Sequence, residues 1–375
     1  MAADVTRYTA ISEKLDMENV HSIMEDCFKI LMEEIHQYEG TINQFLGDGI
    51  MAIFGAPVTH EDHAHRACYA ALNIQKALHA FADKLRVRYE IDFRMRIGLN
   101  TGQVVVGGIG DDLRMDYMAL GDTTNIAFLL EQKAEPGQVL ISEKVFSHIQ
   151  GYFDCKAIGE EKLKNRTHKV TYYALRGEKK KRSRLEIEAE KDALTGFVNR
   201  EKELAMINDL YGKVKKSKGQ VLCVVGDAGR GKSRLIYEFK NQLDQAKVRY
   251  LESQCTAYGK NTPYAPIVEI LKKNYKISES DTAEKIDELL RLKFASLDQR
   301  LMQSIPFLLK LLSMDKGQRA MSEADPQRTK EMIFEAIRIL ILSGSQRMPL
   351  VIVVENLQWI DNTSEQLLAY IVESI

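Results

Sequence analysis

The amino-acid sequence predicts an α/β fold divided between two domains, and three observations support this prediction. Apolar segments with the spacing of strands and of amphipathic helices alternate through the first half of the chain. A charged tract follows at 178–195, and beyond it a glycine-rich loop stands between a predicted strand and a predicted helix. The chain of 375 residues is long enough to form two or three domains with substantial cores.

Composition excludes several classes of protein. The 52 Lys and Arg residues nearly balance the 53 Asp and Glu residues, so no overall field attracts nucleic acid or an anionic membrane. The five cysteines have no C-x-x-C spacing, and neither a disulfide framework nor a zinc site is expected from them. No signal peptide follows Met1, and no apolar run approaches the roughly 18 residues of a spanning helix. The sequence therefore predicts a cytoplasmic protein with no membrane span and no nucleic-acid partner.

Apolar periodicity predicts the elements of the first domain. A helix is expected to begin after Asp16, a good N-cap, and to stop at Gly40, because apolar residues recur between them at three- and four-residue spacing. A longer helix should run through about Leu85, behind a capping-box pattern formed by Thr59 and Asp62. The remaining predictions are strands at 93–99, 103–106, 138–141 and 170–175 and a helix from about Asp122.

A β-hairpin is predicted between the two long helices. Apolar runs at 42–46 and 50–54 enclose Gly47, Asp48 and Gly49, which is the pattern of a tight turn between paired strands. Asp48 is therefore expected at the tip, where a metal ion or a phosphate can approach closely. The alternative is that Asp48 only makes the turn, since Asp favours such positions by bonding its own backbone.

The stretches 4–14, 40–57 and 96–131 resemble the catalytic domain of the class III nucleotidyl cyclases, the adenylate and guanylate cyclases. The resemblance covers about the first half of the chain. It implies a ferredoxin-like domain over residues 1–177 that makes a cyclic nucleotide and pyrophosphate from a nucleoside triphosphate. The matching motifs are Arg-Ile-Gly-Leu-Asn-Thr-Gly-Gln-Val-Val-Val-Gly at 96–107, Arg-Met-Asp-Tyr at 114–117, Gly-Asp at 121–122 and Asn-Ile-Ala at 125–127.

The resemblance implies a two-metal site for attack of the ribose 3′ oxygen on the α-phosphate. Asp4 and Asp48 match the two metal-binding aspartates of the family, and the Val5 carbonyl matches its usual backbone ligand. Oxygen donors of this kind suit Mg²⁺ or Mn²⁺. ATP is the implied substrate, with GTP as the alternative.

In this family the active site forms across a head-to-tail homodimer, so the resemblance implies a second copy of the chain as a partner. Asn125 matches the Asn that binds ribose and phosphate, but Leu129 stands where the family has an Arg one helical turn later. Loss of such a donor commonly costs roughly 10²- to 10³-fold in turnover. We favour the simpler interpretation that Leu129 belongs to the apolar stripe that it forms with Ile126 and Leu130.

The residues that contact the base also depart from the family pattern. Gln44 stands in place of a Lys, and Met118 stands in place of an Asp or a Thr. The Gln44 amide can still meet a purine edge as donor and acceptor, whereas Met118 offers only packing, so the choice between ATP and GTP is not predicted. Lys164 is the nearest match to a phosphate-binding Lys of the family, although a surface lysine is the commoner explanation.

Three histidines fall close together in the sequence, at His60, His63 and His65. Their spacing is not the i, i+4 arrangement of a metal-binding pair on a helix. They also lie at a helix start, where polar residues are common. A metal site is therefore not expected there.

The charged tract at 178–195 marks the predicted boundary between the domains. Its basic run could be a nuclear or nucleic-acid address, but the acidic residues directly after the run favour a solvated linker. The second domain is predicted over 196–375. It should begin with a helix near Glu201, followed by a strand at 220–225.

The segment 226–233 reads Gly-Asp-Ala-Gly-Arg-Gly-Lys-Ser, and a helix is predicted directly after it through Leu243. This is the phosphate-binding loop formula in the strand–loop–helix setting that its chemistry requires. Backbone amides of such a loop hold phosphates, its Lys reaches the β and γ phosphates, and its Ser binds Mg²⁺. The residues concerned are Gly226, Gly229, Gly231, Lys232 and Ser233.

A buried strand is predicted at 349–354, ending at Glu355. This segment resembles the Walker B strand of AAA and STAND-type ATPases, including those fused behind cyclase domains of the soluble adenylyl cyclase type. The resemblance implies that Glu355 faces the magnesium ion. Asn356 stands where the family usually has a second acidic residue. Because Asn can orient water but cannot take its proton, the resemblance implies ATP binding more strongly than hydrolysis.

Both ends of the chain are expected to be incomplete. Few residues precede Asp4 to carry it into a sheet, and few follow Glu355 to supply the further strands of such an ATPase. The chain is therefore expected to be a piece of a longer signalling protein.

Three functions fit these observations. The first is a cyclase with an ATP-binding module, which Asp4, Asp48 and Asn125 favour. The second is a catalytically degenerate cyclase-fold regulator that acts as a nucleotide sensor or dimerisation scaffold, which Leu129 and Met118 favour. The third is an ATPase that works on a partner protein, which depends on the phosphate-binding loop.

Overall fold

The structure is a computed structural model that describes residues 1–109, 116–120, 122–162, 169–179, 194–227, 229–260, 262–278, 281–313 and 326–375. Contacts between Cα atoms divide the chain into two compact units, Met1–Ile187 and Glu188–Ile375. Among the described helices, none combines the length and the apolar character needed to cross a membrane.

The first unit is organised around a mixed β-sheet. Its described strands are β1 (Ala2–Val5), β2 (Thr41–Leu46), β3 (Gly49–Ile53), β4 (Met95–Leu99), β5 (Val105–Ile109), β6 (Asp116–Leu120), β7 (Val139–Ser142), β8 (Phe153–Lys162) and β9 (Lys169–Glu178). Seven of them form one sheet in the order β2-β3-β1-β4-β7-β9-β8, and β5 and β6 pair separately. Among the pairings of the large sheet that the described residues form, β4–β7 is parallel and the others are antiparallel. The predicted α/β fold is confirmed.

Helices cover the sheet with the apolar faces that the sequence predicts. They are α1 (Tyr8–Lys14), α2 (Met17–Gln37), α3 (His63–Tyr89), α4 (Asp122–Lys133) and α5 (Glu143–Ile149). The predicted N-cap of α2 is confirmed, because the Asp16 carboxylate accepts a hydrogen bond from the Asn19 amide at 2.8 Å. Burial of Leu31 and Ile35 on α2 and of Cys68 and Ile74 on α3 is complete.

The capping box predicted at the start of α3 is wrong. Asp62 occupies the N-cap position, but its side chain makes no cap hydrogen bond. Its carboxylate instead accepts a hydrogen bond at 2.7 Å from Nε of Arg66, whose side chain is only 3% exposed. A buried guanidinium needs anionic partners, and this requirement outweighs capping.

Four elements of the first unit were not predicted, namely α1, α5, β6 and β8. The first three have only five to seven residues, which is too few to show a clear apolar period. β8 is longer and pairs along its length with β9, and this pairing rather than its own sequence supplies its hydrogen bonds. The predicted strand at 103–106 lies two residues later, as β5.

Helix α4 lies directly against β4 because Gly98 has no side chain. A Cβ atom at Gly98 would lie 2.1 Å from the Ala127 carbonyl oxygen and 2.4 Å from the Glu131 amide nitrogen. Apolar residues of α4, Ile126 and Leu130, pack in a cluster with Leu140 of β7. The close approach fixes the distance between α4 and the strand that carries Arg96.

The second unit contains a parallel strand pair and a group of helices. Its described elements are α6 (Glu201–Val214), α7 (Lys232–Gln242), β10 (Arg249–Gln254), α8 (Ala265–Tyr275), α9 (Ala283–Leu297), α10 (Ile305–Ser313), α11 (Pro326–Arg347), β11 (Leu350–Glu355) and α12 (Asn362–Val372). α6 and α7 pack on the strand pair through a cluster that includes Ile207, Leu235 and Phe239. A second, larger cluster joins the helices α8 to α12.

Two predictions about the strands of the second unit are wrong. Residues 220–225 do not form a strand, and no strand lies beside them in the described part of the chain. Val221, Leu222 and Val225 are 56%, 44% and 86% exposed. β11 is a strand as predicted, but all six of its residues are half-buried rather than buried, because it pairs only with β10. An extended segment becomes a strand only when a neighbour accepts its hydrogen bonds.

Candidate functional site

Asp4 and Asp48 lie together at one end of the central strands. On β1, Asp4 is opposite Gly49 of β3 and Arg96 of β4. The Val5 amide donates a hydrogen bond to the Asp48 carbonyl oxygen at 3.3 Å. The predicted hairpin is confirmed, with Asp48 at its tip and Gly47 in the left-handed region at φ 66°. The ladder around β1 therefore brings the two carboxylates to one place.

The electrostatics of this pair suit a cation. Burial raises the pKa of the Asp48 carboxyl, and the neighbouring Asp4 carboxylate raises it further. Two carboxylates that face one another resist ionising together, and a divalent cation relieves that repulsion. The donors are all oxygen atoms, which Mg²⁺ and Mn²⁺ prefer. The residues present therefore fit the divalent metal ion that the resemblance implies.

Two charged residues beside Asp4 were given no role in the sequence analysis. A terminal nitrogen of Arg96 lies 2.9 Å from Asp4 Oδ2 and 3.0 Å from Glu131 Oε1. Burial raises the pKa of Glu131 to about 7, with Arg96 opposing this rise and Asp4 and Asp48 adding to it. Two signals could have found them, a charge within the apolar strand 95–99 and an acid on the buried face of α4.

The residues predicted to contact the base lie on neighbouring strands. Gln44 is exposed on β2, beside a register shift between β2 and β3. Met118 lies on β6, opposite Gly107 of β5, and β6 contacts β2. The Met118 side chain lies outside what the structure describes. The role of either residue toward a base stays a prediction.

The residues predicted to complete the site from a second copy are only partly described. Asn125 is exposed on the second turn of α4, and Leu129, one turn later, is half-buried. Lys164 lies outside the described residues. The role of Asn125 in the site stays a prediction, and so does the effect of having Leu129 in place of an Arg.

The three histidines take part in separate contacts. His60 Nε2 lies 3.1 Å from a Glu39 carboxylate oxygen. His63 bonds the His60 carbonyl and the Thr101 hydroxyl, at 3.0 and 2.9 Å. Neither ring nitrogen of His65 has a hydrogen-bond partner in the described part of the chain. Within that part, no group of three or more His, Cys, Asp or Glu side chains is arranged to hold a metal ion.

The predicted phosphate-binding loop is followed by a helix as expected, although the strand expected before it is not formed. Gly229 and Gly231 adopt left-handed conformations at φ 76° and 80°, and α7 begins directly after Gly231. The Lys232 ammonium group donates hydrogen bonds to the carbonyl oxygens of Gly226 and Asp227, at 2.7 and 2.9 Å. These bonds hold the charge of Lys232 over the loop.

Glu355 at the end of β11 faces the start of α7. Burial and the nearby Glu252 raise the pKa of Glu355, while a hydrogen bond from the Ser233 hydroxyl lowers it. The predicted Mg²⁺-binding hydroxyl and the predicted Walker B carboxylate are therefore in contact. A Ser hydroxyl and a carboxylate at this point can share one Mg²⁺ ion.

Asn356 adopts the left-handed conformation, with φ 58° and ψ 46°. Asn tolerates this region better than other residues with a side chain except Asp. The backbone thus provides a reason for Asn at this position that is independent of water activation.

A buried carboxylate, Asp361, also orders this end of the second unit, and this role was not predicted from the sequence. The side chain is the N-cap of α12 and accepts a hydrogen bond from the Ser364 amide at 2.9 Å. It also accepts one from the Tyr264 amide at 3.2 Å. Asp361 therefore ties the loop after β10 to the segment after β11.

The first unit thus holds the carboxylates of Asp4 and Asp48 together on a mixed sheet, and the second unit holds a glycine-rich loop directly before a helix. Residues 1–177 match the family described as the adenylate and guanylate cyclase catalytic domain, and residues 196–374 match the AAA ATPase domain. The chain is therefore a class III cyclase catalytic domain followed by an AAA ATPase domain.

Curated relatives share one or both of these domains. Adenylate cyclase 1 of Rhizobium meliloti is 35% identical over 179 residues, which are 47% of this chain and 27% of the relative. An uncharacterized protein of the same organism is 25% identical over 370 residues, which are 97% of this chain and 35% of the relative. The chain thus spans about a third or less of the length of these relatives.

A solved structure matches the first domain. The crystal structure of the adenylyl cyclase CyaB from P. aeruginosa has 29% sequence identity and a TM-score of 0.45, and the match covers 46% of this chain and 90% of that structure.

Proposed function

We propose that residues 1–177 act as a nucleotidyl cyclase that converts ATP to cyclic AMP and pyrophosphate in a head-to-tail homodimer in the cytoplasm. The observation that carries this proposal is the pair Asp4 and Asp48, brought together by the ladder around β1. Two divalent cations at such a pair supply activation of the ribose 3′-hydroxyl and neutralise the leaving pyrophosphate. Mg²⁺ or Mn²⁺ would be held by Asp4, Asp48 and the Val5 carbonyl.

The other residues of the proposed site bind and orient the nucleotide. Asn125 from the second copy contacts the ribose and the α-phosphate, and Lys164 contacts the terminal phosphates. Gln44 and Met118 form the wall against the base, and Gln44 supplies a donor and an acceptor to either purine. Because Leu129 supplies no charge to the transferring phosphate, we expect a turnover roughly 10²- to 10³-fold below that of a complete site.

For the second unit, over 196–375, we propose ATP binding at the loop 226–233. Gly226, Gly229 and Gly231 provide the loop backbone that wraps the phosphates, and Lys232 moves from the loop carbonyls to the β and γ phosphates. Ser233 and Glu355 bind the accompanying Mg²⁺. Without an acid at Asn356, the unit works as a nucleotide-dependent switch with little or no hydrolysis. Residues 178–195 serve as the linker between the units.

A second candidate function is a catalytically degenerate cyclase-fold regulator. Leu129 favours it, because this half-buried apolar side chain of α4 cannot supply the missing charge. In that case the first unit binds a nucleotide or a second copy of the chain without chemistry.

The test is an incubation of the purified chain with Mn²⁺ and either ATP or GTP, followed by chromatographic separation of cyclic nucleotide from diphosphate. Asp48→Ala should abolish the cyclic product, and Asp26→Ala, at an exposed position on α2, should leave it unchanged. Lys232→Ala should abolish ATP binding by the second unit, whereas Lys216→Ala should not. Absence of cyclic product from folded, nucleotide-binding protein would contradict the enzyme and support the regulator. ADP that disappears in Lys232→Ala would show that the second unit hydrolyses ATP.

A further inference from the structure

We propose that Glu131 is a positioning residue for Asp4 and that it acts through Arg96. The inference deepens the proposed function and rests on it, because Asp4 matters as a ligand of the catalytic cations. Glu131 itself would touch neither cation nor substrate. Its side chain is only 6% exposed, against 25% for Arg96 and 28% for Asp4.

The side chains of Glu131, Arg96 and Asp4 contact one another in that order, from α4 to the carboxylate of Asp4. The same terminal nitrogen of Arg96 lies 2.9 Å from Asp4 Oδ2 and 3.0 Å from Glu131 Oε1. The other terminal nitrogen of Arg96 donates to the Gln132 carbonyl oxygen at 3.3 Å. Arg96 thus contacts α4 at two points, and the nitrogen that lies against Glu131 is the one that also donates to Asp4.

The orientation of Asp4 follows from this contact. Oδ2 is held by Arg96, whereas Oδ1 points toward the hairpin, where a Cβ atom on Gly49 would lie 3.1 Å from it. Oδ1 is therefore presented on the side of the turn that carries Asp48. Because α4 is seated on β4 at Gly98, the anchor of Arg96 cannot move without the helix.

Glu131 also affects the affinity with which a divalent cation binds Asp4. An Arg with Asp4 as its sole partner would keep that carboxylate neutralised and compete with the metal ion for it. A second carboxylate keeps the charge of Arg96 compensated when a divalent ion binds Asp4, so that no buried charge is left unpaired. Removal of the Glu131 charge should therefore weaken metal binding even though Glu131 is not a ligand.

The test measures Mn²⁺ affinity directly, without nucleotide and without turnover. Free Mn²⁺ is followed by electron paramagnetic resonance with the full chain at pH 8, and the binding lost in Asp48→Ala defines the site. Glu131→Gln should raise the Kd of this site by about fivefold or more, which corresponds to roughly one kcal/mol. Glu135→Gln, which removes an exposed carboxylate just beyond α4, should change it by less than about twofold.

A second pair of variants tests the route through Arg96. In an Arg96→Gln background, Glu131→Gln should change the Kd by less than about twofold, because the connecting side chain is gone. An equal shift in both backgrounds, or no shift from Glu131→Gln in folded wild-type background, would overturn the proposal. Circular dichroism confirms folding of each variant. If the wild-type chain shows no Mn²⁺ site that depends on Asp48, the proposed metal site itself fails, which is a separate result.

Discussion

The two units place their candidate site residues by different means. In the first unit, Asp4 and Arg96 lie on strands that are hydrogen-bonded to neighbours, and Asp48 lies in the turn between two paired strands. In the second unit, the phosphate-binding loop follows residues 220–225, which are not paired in a sheet. A ladder distributes the work of positioning over many backbone hydrogen bonds, whereas an unpaired segment depends on a few side chains.

Those few side chains can be named. Lys232 holds the carbonyl oxygens of the loop, and Arg234 donates to the Thr195 carbonyl oxygen at 3.0 Å. Arg200 donates to the Arg230 carbonyl oxygen at 3.4 Å. Loss of one of these side chains should therefore change the backbone of the second site, while the backbone of the first site should move only when its sheet or the helix on it is displaced.

The largest effect is expected from Gly98→Ala, which tests the dependence of the first site on its sheet. The new Cβ would overlap the backbone of α4, so helix and strand must separate, at a cost of about 3 kcal/mol or more. Thermal unfolding followed by far-ultraviolet circular dichroism should show a large loss for the first unit. Gly177→Ala is the control, because a Cβ there meets no atom within 4 Å. Equal stability of the two variants would contradict the close approach of α4.

The second prediction compares a buried N-cap aspartate in the second unit with an exposed N-cap aspartate in the first unit. Asp361→Ala should cost about 2–3 kcal/mol, because it removes an N-cap and leaves the buried Tyr264 amide unsatisfied. Asp16→Ala, at an exposed N-cap of the first unit, should cost only about 1 kcal/mol. Trp359 is the single tryptophan of the chain, so its fluorescence during urea unfolding measures the cost of Asp361→Ala in the second unit. The cost of Asp16→Ala is measured by urea unfolding followed by hydrogen exchange in peptides of the first unit. Equal costs would show that burial of the Asp361 contacts adds nothing.

What could be predicted from the sequence follows the same division. The hairpin with Asp48, the helix after Asp16 and the loop before α7 were predictable, because turn, cap and glycine signals are local. The strand expected at 220–225 was not realised, because a strand depends on a neighbour that the local sequence does not reveal. Arg96 and Glu131 were missed for a related reason, since their partnership joins residues far apart in the chain.

The third prediction concerns Asn356. Its left-handed backbone favours Asn or Gly, whereas water activation would favour an acidic residue. Asn356→Gly should leave the stability of the second unit nearly unchanged, because Gly adopts φ near 58° without strain. Asn356→Glu should cost about 1 kcal/mol, although Glu is the residue that would activate water. Urea unfolding followed at Trp359 measures both variants. A stability of Asn356→Glu equal to that of the wild type would show that the backbone does not select Asn.

The smallest effect is a pH dependence of the first unit. Burial lowers the pKa of His65, with His148 and His63 adding to this and Asp62 opposing it. The folded unit therefore binds fewer protons at His65 than the unfolded chain does, and stability is lost as pH falls below the ordinary His pKa of about 6.5.

The check for this effect is urea unfolding at pH 7.5 and at pH 5, followed by hydrogen exchange in peptides of the first unit. His65→Leu should lose less stability between the two pH values than the wild type does. His79→Leu, on the exposed face of the same helix, should retain the full dependence. An unchanged pH dependence in His65→Leu would rule His65 out as its source.

Helix α4 presents two different surfaces, and this has a consequence for a dimer. Glu131 faces inward to Arg96, whereas Asn125, about 9 Å back along the helix axis, is exposed. In the proposed head-to-tail homodimer, α4 of one subunit would then contact the metal-binding residues of one active site through Glu131 and the ribose of the other active site through Asn125.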